Sequence, residues 1–187
     1  ILIFANIGVC KFLFTKFKLM IKKKLIFLSI GSNLGDKFAN IKTALRFLDS
    51  KVGQIKSMSS IYETKSLGFD GPDFFNLCVS IETEFSPKKL LDKLLKIEIL
   101  MGRIRTDQRK LISRKIDMDI LFYDNEIILS KKLQIPHPRL QNRNFVLYPM
   151  IEIAPNLEHP VLKIKISTIF KKSSDKSIPI KLSIKAS

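Results

Sequence analysis

Residues 25–30, Leu-Ile-Phe-Leu-Ser-Ile, form a short apolar run that stops at Gly31-Ser32-Asn33, the pattern of a buried strand running into a turn. Asp36 follows as a helix cap, and Ile41, Ala44, Leu45 and Leu48 then recur at helical spacing until Gly53 breaks the pattern. Ile55 to Glu63 reads as a second strand, and Thr64 to Asp73, with Gly68, Gly71 and Pro72, as a long loop before a third strand from Phe74 to Glu84. Ser86-Pro87 opens a second helix whose apolar face is Leu90, Leu91, Leu94, Leu95 and Ile97, ending near Gly102. After a basic stretch without period, Ile116 to Tyr123 alternates apolar residues with acids and reads as a fourth strand. Residues 127–160 add short pieces and turns marked by Pro136, Pro138, Pro149 and Pro155.

The order β-α-β-β-α-β predicts an α+β domain of the ferredoxin-like kind, an antiparallel sheet with helices packed on it. A chain of 187 residues with 45% hydrophobic content can bury one real core, so a single domain is the default. The formal charge of +16 invites a nucleic-acid or membrane partner, but twelve of those charges sit in residues 1–24 and 161–187. Lysine outnumbers arginine, which fits a genome-wide drift in composition as well as it fits a polyanionic partner. The first residue is Ile, residues 1–19 alternate apolar stretches with lysines, and Met20 reads as the true start, with no cleavage site of a signal peptide. Three segments follow: an upstream extension at 1–19, the folded domain at 20–162, and a basic, loosely ordered tail at 163–187. No run approaches the length of a membrane span. Cys10 and Cys78 lack metal-ligand spacing, which fits a reducing cytoplasm.

Three constellations carry chemistry. Asp117 and Asp119 leave the same face of the fourth strand, because side chains alternate with period two. Two such carboxylates suit hard divalent cations that hold a polyphosphate, although a polar strand face would look the same. Residues 103–115 hold Arg103, Arg105, Arg109, Lys110, Arg114 and Lys115 against one acid, Asp107, which is either a solvated loop or a trap for phosphate lying beside the carboxylates. His137 stands between Pro136 and Pro138 with Arg139 and Arg143 nearby, where it can donate to an anion. Phe74, Phe75 and Phe145 can form a slot for a flat ring or pack the core. Gly-Ser-Asn-Leu-Gly-Asp-Lys at 31–37 has the wrong spacing for a Walker A loop, so phosphoryl transfer here would rest on metals and arginines.

Six segments in order, IGSNLGD, SSIYETKSLG, PDFFN, IEILMGRIR, SRKIDMDIL and IPHPRLQNRNFVLYPMIEIAP, resemble the 6-hydroxymethyl-7,8-dihydropterin pyrophosphokinase family over residues 24–160. The resemblance implies transfer of diphosphate from ATP to the hydroxymethyl group of the reduced pterin, giving AMP, in folate biosynthesis. It places the pterin between Phe74 and Phe145, its edge read by Asn76 and by backbone around Thr64 and Leu67, with Asn33 in a loop closing over it. It gives Asp117 and Asp119 two Mg²⁺ ions, assigns Arg103 and Arg114 to the catalytic loop with Asp119 beside them, and brings Glu98, Arg105, His137 and Arg143 to ATP. The chain departs from the family where an aromatic residue and Gly-Pro usually precede the second arginine; here stand Lys110, Leu111, Ile112 and Ser113. Small-molecule substrates, a cytoplasmic monomer and no nucleic-acid partner complete the expectation. A basic ferredoxin-like RNA-binding module is the rival of another class, opposed by the missing glycine-aromatic RNP pattern. An inactive descendant of the enzyme is the other rival.

Overall fold

The computed structural model describes residues 22–103 and 112–183, so the extension at 1–19 and the start at Met20 lie outside the described residues. The strands are β1 (Lys24–Ser32), β2 (Gln54–Met58), β3 (Tyr62–Thr64), β4 (Phe74–Thr83), β5 (Asp117–Tyr123), β6 (Ile128–Leu129), β7 (Gln134–Ile135) and β8 (Ile180–Lys181). The helices are α1 (Lys37–Lys51), α2 (Pro87–Leu100), α3 (Asn144–Ile153) and α4 (Ile166–Lys171), with a 3-10 turn at Leu140–Asn142. The main sheet runs β5-β1-β4-β3-β8, and β2 also pairs with β4. Its ladders among the described residues are antiparallel, with β1 between β4 and β5. This is the ferredoxin-like arrangement the pattern predicts.

The helices α1 and α2 begin where the sequence says they should. The Asp36 side chain accepts from the Ala39 N–H at 2.9 Å and so satisfies one free donor of the first turn of α1. Pro87 opens α2, where a missing N–H costs nothing, and Gly102 with φ of 86° closes it. Ile41, Ala44 and Leu48 of α1 and Leu90, Leu94 and Ile97 of α2 pack on Ile26, Leu28 and Ile30 of β1 and on Leu77, Val79 and Ile81 of β4. On the opposite face Phe27, Cys78, Leu121 and Phe122 meet Val146, Leu147 and Met150 of α3 and Ile166 and Ile169 of α4. Because both faces of β1 are covered, it reads as a continuous apolar run instead of an alternation.

Three expectations need correction. The second strand is broken into β2 and β3 at Ser59 and Ser60: the Ser59 hydroxyl accepts from the Cys78 N–H at 3.0 Å, taking the place of a ladder carbonyl, and Ser60 turns to bond Glu152. Pro149, read as a turn, lies buried inside α3. The tail at 163–187 is part of the fold as far as residue 183: Ile166 and Ile169 are buried in the second core and β8 pairs with β3. Its lysines hid the few apolar positions that dock.

Candidate active site

Strand parity decides where the site lies. Ser29 and Gly31 of β1, Phe74 and Asn76 of β4, and Asp117 and Asp119 of β5 share the sheet face that α3 and α4 cover further along. Gly31 is opposite Asn76 on one side and Asp117 on the other. A Cβ there would lie 2.8 Å from Asn76 Oδ1, so the glycine keeps the floor low. The cavity above it, about 160 Å³, is lined by Thr64, Leu67, Phe69, Phe74, Asn76, Arg114, Asp117, Asp119, Arg139, Arg143 and Phe145 among others.

A bulge shapes the end that carries the carboxylates. The β1–β5 register slips between Phe27 and Leu28, which leaves Leu121 as the extra residue of β5. The Leu121 carbonyl accepts from the His137 N–H at 3.0 Å, so the irregularity anchors the segment that carries His137 beside the strand that carries Asp119. His137 Nε2 and Arg143 Nη1 each lie 3.8 Å from Asp119 Oδ2.

Asp117 is held by two arginines. Arg103 donates to its Oδ1 and Arg114 Nη2 to its Oδ2 at 2.6 Å, and Arg103 also reaches Glu98 at 2.5 Å. Glu98, buried at the end of α2, accepts in addition from the Met118 N–H at 2.8 Å, between the two aspartates. Burial works against ionised Asp117, but Arg114 and Arg103 outweigh it and hold its carboxyl below the usual range. Asp119 goes the other way: burial and the Asp117 charge push it up to about 6, with Arg143 opposing. For His137, burial, Arg143 and Arg139 push the pKa down to about 4, so the ring is neutral at physiological pH. Its Nδ1 accepts from the Arg139 N–H at 3.2 Å, which leaves the ring proton on Nε2, facing Asp119.

At the other end Asn76 Nδ2 donates to Thr64 Oγ1 at 2.8 Å. Phe74 meets Phe69 edge to face at 6.3 Å and has the Arg114 guanidinium over its ring at 5.2 Å, while Arg143 lies 5.4 Å over Phe145. Asn33, 1% exposed, donates from Nδ2 to Pro72 O and Ser113 Oγ, tying three chain segments together above the slot. The structure thus brings together Asn33, Thr64, Leu67, Phe74, Asn76, Glu98, Arg103, Arg114, Asp117, Asp119, His137, Arg143 and Phe145. Arg105, with Arg109, Lys110 and Leu111, lies outside the described residues. Phe69, Gly31 and Ser113 were not singled out as site residues; strand parity with Ser29 would have found Gly31, whereas no sequence signal points Phe69 or Ser113 into the site.

The donor set suits Mg²⁺. Two oxygen-only carboxylates on one strand face leave room for phosphate and water ligands, and the raised pKa of Asp119 marks a position short of positive charge. Among the described residues no cluster of three His, Cys, Asp or Glu side chains is placed to hold a metal alone, so phosphate oxygens would complete the shell.

Fold and site define an ATP-dependent transferase of phosphorus-containing groups. Residues 27–155 match the family model described as 7,8-dihydro-6-hydroxymethylpterin-pyrophosphokinase (HPPK), and the chain belongs to that family. It is 38% identical over 139 residues to the 2-amino-4-hydroxy-6-hydroxymethyldihydropteridine pyrophosphokinase of Aquifex aeolicus, covering 74% of this chain and 85% of the relative. The Haemophilus influenzae protein of the same name is 40% identical over 151 residues, covering 80% and 92%. Folic acid synthesis protein fol1 of Pneumocystis carinii is 37% identical over 159 residues, but this chain spans only 21% of that longer protein. Plasmodium falciparum HPPK-DHPS shares the fold, with a TM-score of 0.68 at 18% identity over 81% of this chain and 45% of that one.

Proposed function

We propose that the chain transfers the terminal diphosphate of ATP to the hydroxymethyl group of 6-hydroxymethyl-7,8-dihydropterin through residues in and around this cavity. The observation that carries the reading is their arrangement: an amide and aromatic slot at one end, and two carboxylates with converging cations at the other. Phe74 and Phe145 stack the pterin, with Asn76 and the backbone around Thr64 and Leu67 reading its polar edge. The neutral His137 offers an Nε2–H and Arg143 a guanidinium to the ATP phosphates, with Glu98 and Arg105 beside the nucleotide. Arg103 and Arg114 neutralise charge developing on the transferred group.

Asp117 and Asp119 would hold two Mg²⁺ ions, which supply charge neutralisation on the phosphate oxygens when bound. For this Asp117 must share oxygens that Arg103 and Arg114 hold in the free protein. The pterin hydroxyl oxygen attacks the β-phosphorus in line, the bond from that phosphorus to the α-phosphate oxygen breaks, and AMP leaves. Asp119 is the nearest carboxylate to take the hydroxyl proton. The protein works as a cytoplasmic monomer on these small molecules and binds no nucleic acid; among the described residues no helix is long and apolar enough to cross a membrane.

The test is AMP release from ATP and Mg²⁺ with and without the pterin, using protein that begins at Met20. Pterin-dependent AMP supports the reading. ADP would mean transfer of a single phosphate, and pterin binding without product would mean a binding protein descended from the enzyme.

A further inference from the structure

Arg143 and Phe145 face the two halves of the substrate set, and the residue between them is gripped by the C-terminal segment. Asn144, 6% exposed, donates its backbone N–H to Asp175 Oδ2 at 2.7 Å, and its side-chain Nδ2 donates to Asp175 O at 3.0 Å and Ser177 O at 2.6 Å. The other carboxylate oxygen, Asp175 Oδ1, accepts from the Ser177 N–H at 2.8 Å, so both oxygens of Asp175 are engaged. Asp175 is the only acid in residues 161–187, a stretch with seven lysines. Arg143 occupies the cap position of α3 in an extended conformation and its side chain makes no capping bond, which leaves the first N–H of the helix to Asp175.

The same segment braces the opposite wall. β8 pairs Ile180 with Glu63 and Lys181 with Tyr62 of β3, whose next residue Thr64 accepts from Asn76. Ile166 and Ile169 of α4 anchor the segment in the core. Asp175, Ser177, α4 and β8 lie beyond residue 155, where the family match ends.

We infer that Asp175 is a positioning residue: by capping α3 at Asn144 it sets the backbone from Arg143 to Phe145 and so aims both the phosphate-facing guanidinium and the pterin-facing ring. The inference rests on the roles proposed for those two side chains. Holding Asn144 by its backbone and side chain together restrains its two chain neighbours, and a displacement of about 1 Å at a substrate-contacting group can cost as much as a hundredfold in rate.

The experiment compares Asp175→Ala, Asp175→Asn and, as a control that loosens β8 without touching Asn144, Lys181→Ala. Binding of the pterin and of Mg²⁺ with a non-cleavable α,β-methylene ATP is titrated well below each melting temperature, alongside KM and kcat. Asp175→Ala is expected to weaken both ligands together by about tenfold, as loss of a charge-assisted bond implies. Asp175→Asn, which keeps an acceptor for the Asn144 N–H, recovers most of that loss, and Lys181→Ala, which loosens only the β3 side, leaves the nucleotide affinity unchanged. Wild-type affinities in Asp175→Ala, or equal losses in Lys181→Ala, would overturn the inference. If Asp175→Ala does not fold, Asn144→Ala, which removes the two side-chain bonds to Asp175 O and Ser177 O, is read on the same axes, a joint loss of both ligands supporting the inference and wild-type affinities overturning it. Wild-type protein that binds neither ligand would instead sink the proposed function itself.

Discussion

Asn33 and Arg114 hold each other by reciprocal hydrogen bonds: the Asn33 side-chain Oδ1 accepts from the Arg114 N–H at 2.7 Å, and the Asn33 N–H donates to the Arg114 carbonyl at 3.1 Å. The turn after β1 therefore sets the place of an arginine that also donates to Asp117 and lies over Phe74. The Ser113 hydroxyl, next to Arg114, adds an acceptor for Asn33 Nδ2 at 3.0 Å.

Asn33→Ala removes the acceptor of the Arg114 N–H and the ties to Pro72 and Ser113, so it should cost about 1–3 kcal/mol in stability and weaken pterin binding. Ser113→Ala removes one bond while Asn33 keeps Pro72, and its cost should stay near 1 kcal/mol or less. Thermal melts and pterin titration of both variants check this. Equal effects from the two would mean that Asn33 does not act as the hub.

The two aspartates should respond oppositely to neutralisation. Asp117 ionises more readily than usual, so its contribution to stability is present at neutral pH and is lost as pH falls below the normal carboxylate range. Asp117→Asn leaves Arg114 mostly buried without its anion and Arg103 with Glu98 alone, and should cost about 3 kcal/mol. Asp119 has its pKa raised from 3.8 to about 6, so its contribution is fully present below the unfolded value and is lost as pH rises through the folded one. In metal-free buffer Asp119→Asn should therefore melt above wild type at neutral pH, lose that advantage near pH 4, and yet abolish turnover. A lower melting temperature at neutral pH would show that Asp119 is not strained by its neighbour.

Phe74→Leu keeps an apolar side chain but removes the ring that Phe69 and Arg114 contact. A flat aromatic ligand should then bind about tenfold more weakly, from loss of stacking, while affinity for the nucleotide alone stays near that of wild type. Fluorescence titration with each ligand separates the two. A matching loss for the nucleotide would place the triphosphate against Phe74 and move the pterin elsewhere.

The core elements were legible because their signals are local. β1 is a bounded apolar run, α1 and α2 carry a helical apolar period with a start signal in Asp36 and Pro87, and Asp117-Met118-Asp119 of β5 puts two acids on one face by strand parity alone. The break at Ser59 was not legible, since a serine hydroxyl standing in for a ladder carbonyl leaves the sequence looking like one strand. Nor was α3, where Pro149 argues against a helix that burial of Val146, Leu147 and Met150 nevertheless secures. Asp175 gave no signal, because its partner is 31 residues away and its neighbours are mostly lysine and serine.

Removing the C-terminal segment is the sharpest test of where the domain ends. Ile166 and Ile169 are 0% and 3% exposed, and burying two such side chains contributes roughly 3–6 kcal/mol. Truncation after Leu162 also uncaps α3, a loss of about 1 kcal/mol, and removes Lys181 from the Glu152 carboxylate that Ser60 and Tyr62 share. Against a total stability of about 5–15 kcal/mol for a domain, the truncated protein should lose its cooperative melt and bind an apolar dye. Ile169→Ala alone, at about 2–5 kcal/mol, should give a folded protein with a lower midpoint. A truncated protein that melts cooperatively near the wild-type temperature would return the boundary to residue 162 and leave α4 and β8 as passengers.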